Sequence, residues 1–448
     1  LGGPGQVALL FASGIAVAIS MFFYKTPWSL FEEAICENVK TAGQAILILI
    51  LIGAISGSWM VSGVVPMLIC YGLKVITPGI FLLAACIICA LVSVMTGSSW
   101  TTIATLGVAL LGIGQAFGYS LGWTAGAIIS GAYFGDKISP LSDTTILASS
   151  SAGTDIFEHI RYMMITTVPS FTIACVVFLV VSLGHGRADG MMAEEIASAL
   201  QGTFHISIWL LVVPVITGIL IVKKLPAIIT LIVASLLAGI AALIAQPGIV
   251  HSIASTDPFT GHLAFMDGFK GLMVTFYGPT SVPTGSEVLD NLVATNGMTG
   301  MLNTMFLIIC AVTFGGVMTG SGMIRSLTEM LTRRITSRTG TVGATLATGM
   351  GANLISGDQY LAVILTCNLY RKLYEKNGFE NRLLGRTAED SATVTSVLVP
   401  WNSCGMTQST VLGVPTLTYL PYCIFNLMSP LMSLFIAMIG YKIVRRKS

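Results

Sequence analysis

Residues 135–145 read GDKISPLSDTT. Two aspartates, a lysine, a proline and four hydroxyls stand here between GWTAGAIISGAYF (122–134) and MMITTVPSFTIACVVFLVVSLG (163–184), two strongly apolar stretches. Pro140 has no N–H, and its ring collides with the preceding turn, so a helix breaks there. Gly135 and the Ser/Thr cluster favour an unwound segment, and the freed backbone groups need partners.

The surroundings make this polarity costly. The chain has 448 residues, 54% hydrophobic and 9% charged, with mean hydropathy +0.85; soluble domains carry about a quarter charged residues. It therefore reads as an all-α polytopic membrane protein, because long apolar runs rich in Gly and Met suit helices better than the alternating strands of a barrel. Unwound backbone at membrane depth is tolerated only where it lines a cavity. A net charge of +2 without a basic block excludes nucleic acid as a partner. The tightest cysteine pair, Cys86 and Cys89, has metal-ligand spacing but no second pair, and reads as core. No HExxH occurs and the five histidines fall in loops or segment ends, so no cofactor is expected and a metalloenzyme is disfavoured.

Apolar spans fall near 6–24, 43–62, 160–184, 204–222, 226–245, 300–320 and 417–441. Blocks 79–115 and 340–372 read as helix pairs joined by the polar turns VMTGSSWTT and LISGDQY. Blocks 121–150 and 386–416 read as interrupted helices, broken by GDKISPLSD and PWNSCG, and a surface-lying helix is expected near 262–277. A shift of 260 lays Thr96-Gly97-Ser98-Ser99-Trp100 on Ser356-Gly357-Asp358-Gln359-Tyr360, and Pro140-Leu141-Ser142-Asp143 on Pro400-Trp401-Asn402-Ser403. A shift of 259 lays Gly57…Ser62-Gly63 on Gly316…Ser321-Gly322. These matches in order indicate a duplication, with a first repeat over 1–185, a linker over 186–203 and a second repeat over 204–448. The span 204–222 has no counterpart in the first half, so a further helix upstream of Leu1 is expected in the full-length protein.

Charge orients the halves. Loop 321–338 carries Arg325, Arg333, Arg334 and Arg338, and loop 371–386 carries Arg371, Lys372, Lys376, Arg382 and Arg386. The matching first-half loops hold Lys74 only. The positive-inside rule then puts the second-half loops, Lys223-Lys224 and the terminal YKIVRRKS in the cytoplasm. The repeats come out inverted, as in secondary transporters.

Five acids lie within the spans: Asp136, Asp143, Asp358, Glu389 and Asp390, at corresponding places in the two repeats. A charge at bilayer depth costs about 2.5–3.5 kcal/mol on insertion scales, so such residues face a cavity or pathway. Backbone carbonyls, the hydroxyls of Ser139, Ser142 and Thr144, and the Asp143 carboxylate are hard oxygen ligands for a small cation such as Na⁺. Asp358 and Ser98 would meet them from the two hairpin tips, with Asn402 and Ser403 from the second break. Asp143, Asp136, Glu389 and Asp390 are the proton-coupling candidates, although Glu389 and Asp390 equally suit a helix N-terminus. Lys137 reads as a neutralising partner of Asp136. Trp100, Trp401 and Asn402 are the candidate contacts for an organic solute, whose carboxylate helix N-termini at the breaks would receive.

GAYFGDKISPLSDTT, SGDQYLAVI and AEDSATVTSVLVPWNSCG strongly resemble the NhaC family of bacterial Na⁺/H⁺ antiporters, over nearly the whole chain. The resemblance implies two inverted repeats, each with a re-entrant hairpin and a broken helix, and a multi-pass place in the bacterial cytoplasmic (inner) membrane. It implies Na⁺/H⁺ antiport by alternating access, with Na⁺ and H⁺ competing for a site built around Asp143, Asp136 and Asp358. The family also holds exchangers of malate and lactate and members assigned to amino-acid uptake, so coupled transport of a small carboxylate or amino acid is the alternative. The expected partners are the lipid bilayer, these ions and such a solute, with a homodimer allowed. An intramembrane aspartyl protease would not explain the repeat, and a channel has no need of carboxylates held beside helix breaks.

Overall fold

The computed structural model describes residues 5–184, 190–223, 225–255, 257–259, 261–283, 290, 293–323, 326 and 335–443. Among them the only β pairing is an isolated antiparallel bridge between Thr280 and Thr295; nearly everything else is helix. Six helices are long and apolar enough to cross a membrane, and two bent pairs bring the number to eight if each is one span.

The helices run α1 (Gly5–Tyr24), α2 (Trp28–Val61), α3 (Val64–Val75), α4 (Phe81–Thr96), α5 (Ser99–Thr102), α6 (Val108–Ala116), α7 (Leu121–Ile138), α8 (Asp143–Ala152) and α9 (Ile156–Gly184). Then come α10 (Gly190–Thr203), α11 (Val212–Val222), α12 (Ala227–Ala245), α13 (Pro247–Ala254), α14 (Phe265–Tyr277) and α15 (Leu302–Gly320). The chain ends with α16 (Arg338–Ser356), α17 (Gln359–Lys376), α18 (Asn381–Ala388), α19 (Ser403–Leu412), α20 (Thr416–Tyr419) and α21 (Ile424–Ile439). A π-helical stretch, Ile103–Gly107, joins α5 to α6, and another, Glu389–Thr393, extends α18.

Both expected helix pairs are present, α4 with α5–α6 and α16 with α17. Both interrupted helices are broken, α7 from α8 and α18 from α19. The first break is narrower than expected: α7 continues through Ile138, and only residues 139–142 leave the helix. Gly135 serves packing rather than unwinding. A methyl group on it would stand 2.4 Å from Ala90 O, and one on Gly131 2.0 Å from Cys86 O. This small-residue stripe lets α7 lie directly on α4, the mode that drives helix association in lipid, and the Ser93 hydroxyl donates to Ala132 O at 2.6 Å. Cys86 and Cys89 are buried in that contact.

Other boundaries move. The span expected at 43–62 is the end of a 34-residue helix from Trp28. At 1.5 Å per residue that is about 51 Å, longer than a hydrocarbon core of about 30 Å. Its first turns carry Glu32, Glu33, Glu37 and Lys40, ahead of the apolar run that begins near residue 43. In the span expected at 204–222, helix resumes only at Ile208, after a 93° turn from α10, and the chain bends by 55° before α21. α14 matches the surface-lying expectation on one side, exposing Phe265, Phe269, Met273 and Tyr277. Its other side packs on α2, where a methyl on Gly57 would stand 2.2 Å from Thr275 O.

Of the residues used for orientation, Arg325, Arg333, Arg334, Lys224 and the last five lie outside the described residues, as do 186–189 of the linker. Three described arginines gather at one end. Arg338 donates to Ala437 O and Met438 O, both at 2.8 Å; Arg382 pairs with Glu158 at 3.0 Å; and Arg371 packs over Gly153. Arg386, expected in the same loop, is instead fully buried in α18.

Candidate functional site

The backbone repeats its punctuation at the offset of 260. α4 ends at Gly97 (φ 66°) and α16 at Gly357 (φ 67°), a left-handed conformation that glycine adopts without strain. The next residue caps the following helix: Ser98 accepts from Thr101 N, and Asp358 from Leu361 N. At the breaks, Ser142 caps α8 and Asn402 caps α19. Each of those helices has ten residues and stops at a left-handed glycine, Gly153 or Gly413. One tip-to-break hydrogen bond recurs as well: Ser99 Oγ donates to Asp136 at 2.6 Å, and Ser396 Oγ to Gln359 at 3.2 Å.

The side chains do not repeat in the same way. At this offset Asp136 falls on Ser396, Asp143 on Ser403, Asp358 on Ser98 and Asp390 on Ser130. The expectation of acids in corresponding places is thus corrected. Each aspartate corresponds to a serine, and the carboxylates are divided between the halves.

The first hairpin tip and first break border a cavity of about 410 Å³. Asp136, Asp143, Thr144, Ser98, Trp100 and Tyr360 are on its wall. Asp136, in the last turn of α7, is buried and held by three hydrogen bonds: Oδ2 accepts from Ser99 N (3.1 Å) and Ser99 Oγ (2.6 Å), and Oδ1 from Ser142 Oγ (2.6 Å). Asp143, the first residue of α8, is exposed at the cavity wall. One carboxylate is held rigidly while the other is free to take a cation or proton, with Thr144 and Ser98 hydroxyls beside them. Such hard oxygen donors suit Na⁺.

The other expected residues do not line this cavity. Asp358 is buried as the cap of α17 and accepts from Ser403 Oγ at 3.1 Å, so those two meet each other. Ser139 donates to Val94 O at 2.8 Å. Asn402 is buried against Asn353. Trp401 is 37% exposed and spends its indole N–H on Leu354 O (2.7 Å). Of the two tryptophans, Trp100 is the one at the cavity.

A second group of charges was not foreseen as a unit. Lys137 pairs with Asp390, not with Asp136. Its ammonium also donates to Ser429 Oγ at 3.1 Å, and Asp390 Oδ1 accepts from Ser429 (2.8 Å) and Thr166 (3.1 Å). Arg386 Nε lies 3.9 Å from Asp390 Oδ2, with its guanidinium 5.0 Å from the centre of the Tyr162 ring. Lys137, Arg386, Glu389 and Asp390 are all fully buried. Glu389 and Asp390 follow α18 in mid-helix, so the capping role considered for them does not apply. Glu389 has no ion-pair partner among the described residues. Parity was the available signal: a lysine in one interrupted apolar helix requires an acid, and the other interrupted helix has two.

The model of the Na⁺/H⁺ antiporter family matches residues 6–153 and 131–441. The chain is 35% identical to the Na⁺/H⁺ antiporter NhaC of Alkalihalophilus pseudofirmus, over 99% of this chain and 91% of that protein. It is 36% identical to the malate-2H⁺/Na⁺-lactate antiporter of Bacillus subtilis, over 94% and 86%. It is 31% identical to the arginine/ornithine antiporter ArcD of Halobacterium salinarum, over 99% and 88%.

Proposed function

We propose that this chain, which belongs to the Na⁺/H⁺ antiporter family, exchanges Na⁺ for H⁺ across its membrane by competition at the Asp136–Asp143 cavity. That the protein is a multi-pass membrane antiporter follows from the family and its apolar helices. The observation carrying the finer reading is the pairing of an exposed carboxylate, Asp143, with a buried, hydrogen-bonded one, Asp136, on one cavity wall. Two acids sharing a site disfavour double ionisation in the absence of a cation, so Na⁺ entry and proton loss are linked. Exchange follows if the site reorients only when one ion is bound. Asp358 and Ser403 would supply ligands in another orientation, since they meet at the second tip.

The repeats, 1–185 and 204–448, are proposed to be inverted, with their hairpins entering from opposite faces. Two placements support this: α17 returns to put Arg371 beside Gly153 at the end of α8, whereas α6 returns with Gln115 on the same cavity wall as Gly413 at the end of α19. The arginine-bearing end is then cytoplasmic.

The test is Asp143→Asn in proteoliposomes. Na⁺-driven proton movement is expected to disappear while the protein keeps its elution profile and helix content; normal exchange would remove Asp143 from the mechanism.

A second reading has specific support. The cavity, at about 410 Å³, lies within the size range of small-molecule sites, and identity to the malate/lactate relative is 36% against 35% to the NhaC relative. Uptake of labelled lactate, malate or basic amino acids, with and without Na⁺, separates coupled organic transport from ion exchange.

A further inference from the structure

A second cavity, of about 310 Å³, lies beyond the first. Its wall includes Ser56 and Met60 of α2, Gln115 of α6, Asn296, and Thr410 and Gly413 at the end of α19. Two helices border both cavities, and they do so in register. On α2, Gln44 and Ile48 face the first cavity, and Ile52, Ser56 and Met60 the second. The spacing is four residues throughout, one i+4 stripe that winds by about 40° around the helix at each step. On the second limb of the first hairpin, Trp100 and Thr101 face the first cavity, and Ala104, Val108, Leu111 and Gln115 the second. That is again one stripe, at spacings of three and four.

The cavities are thus divided at one level on both walls, between Ile48 and Ile52 and between Thr101 and Ala104. From Gln44 to Met60 is sixteen residues, about 24 Å at 1.5 Å per residue. The limb from Trp100 to Gln115 is about 22 Å by the same rise. Each stripe covers most of a hydrocarbon core about 30 Å thick. Ile52 is 1% and Ala104 6% exposed at the dividing level; Gln44 is exposed and Ser56 and Gln115 are partly so, while Thr101 and Met60 on the walls are also buried. The contents differ too. The first cavity has the two carboxylates; the second has amides, hydroxyls and apolar groups on its wall and no charged side chain among the described residues. On the exchange reading the first would hold the cation, and the second suits a hydrated one in passage.

We infer that the two cavities are opposite vestibules of one transport route. It runs along the seam between α2 and the α5–α6 limb and is closed at a waist formed by Ile52 and Ala104. This rests on the exchange reading above only for the identity of the cargo. The orientation set by Arg338, Arg371 and Arg382 makes the first cavity the cytoplasmic vestibule, since it lies on the α8 side, and the second the external one.

The experiment uses the full chain with the more accessible cysteines replaced (Cys36→Ser, Cys175→Ser), reconstituted with known orientation. Single cysteines Gln44→Cys, Ser56→Cys and Gln115→Cys are treated with a membrane-impermeant thiol reagent from one face at a time. Gln44→Cys is expected to react from one face, and Ser56→Cys and Gln115→Cys from the other. Reaction of Gln44→Cys and Ser56→Cys from the same face overturns the proposal, whatever the cargo. Ala104→Trp at the waist is expected to reduce exchange at least tenfold while Na⁺-dependent thermal stabilisation persists; undiminished exchange by a folded Ala104→Trp protein also overturns it. Opposite-face labelling without Na⁺-dependent proton movement sustains the route and rejects the Na⁺/H⁺ reading instead.

Discussion

Lys137 and Asp390, one from each broken helix, form a buried ion pair closed by Ser429 and Thr166. The pair ties the last turn of α7 to the π-helical stretch after α18, close to the sites where each helix breaks. Removing one partner leaves an uncompensated charge and costs about 3–5 kcal/mol, whereas removing both is far milder. Lys137→Met and Asp390→Asn are each expected to lower the midpoint of thermal unfolding in detergent strongly. The double variant should recover a large part of the loss. Additive effects would show that the pair is not an energetic unit.

Asp136 and Asp143 share a cavity but differ in what holds them. Asp136→Asn places an amide where a carboxylate accepts three hydrogen bonds, at an expected cost of about 1–3 kcal/mol. Asp143→Asn, exposed at the wall, is expected to stay within about 0.5 kcal/mol of the parent. Both should lose Na⁺-driven proton movement, and only Asp136→Asn should lose stability. Unfolding curves recorded in NaCl and in choline chloride check both halves, because Na⁺ bound only to the folded state raises its midpoint.

Gly97 and Gly413 both adopt positive φ, at 66° and 65°. An added methyl meets Leu141 backbone at 2.6 Å from Gly97, but nothing within 4 Å of Gly413. Gly413→Ala is expected to cost about 1 kcal/mol of strain. Gly97→Ala adds displacement of the first break and should cost measurably more. Equal losses in unfolding midpoint would mean that the tip does not press on the break.

If an organic solute is carried, Trp100 is the tryptophan placed to touch it. Trp100→Ala is then expected to raise the half-saturating concentration of labelled lactate, malate or amino acid several-fold, and Trp401→Ala to leave it unchanged. An effect confined to Trp401 would move the solute site to the second break.

Much of this was legible from punctuation. Pro140 and Pro400, the glycines at the tips, and their common offset marked both hairpins and both breaks, because helix stops depend on local backbone chemistry. Side-chain partners depend on which helices become neighbours, and local signals are silent about that. Lys137 was therefore assigned to Asp136, its neighbour in sequence, although consecutive helical residues point in different directions; its partner is 253 positions away. Arg386 was assigned to a cytoplasmic loop because it follows other basic residues, yet α18 carries it inward onto Tyr162. Gly135 reads as a loop former in the sequence because small residues serve both turns and close helix contact. The segment before residue 43 gives no span signal in the sequence because its turns carry Glu32, Glu33, Glu37 and Lys40.

The replacement of aspartate by serine at the offset of 260 bears on how tightly an ion is held on each side. A doubled frame with identical ligands would present two equal cation sites, and filling one would repel occupation of the other. Here Asp136 and Asp143 stand opposite Ser396 and Ser403, and Asp358 opposite Ser98. The frame has kept its twofold plan while the charge has become lopsided. If Na⁺ binds these carboxylates as proposed, one site would be strong and one weak, and the two directions of turnover would differ in affinity. Comparing half-saturating Na⁺ on the two faces of oriented vesicles would read that inequality directly.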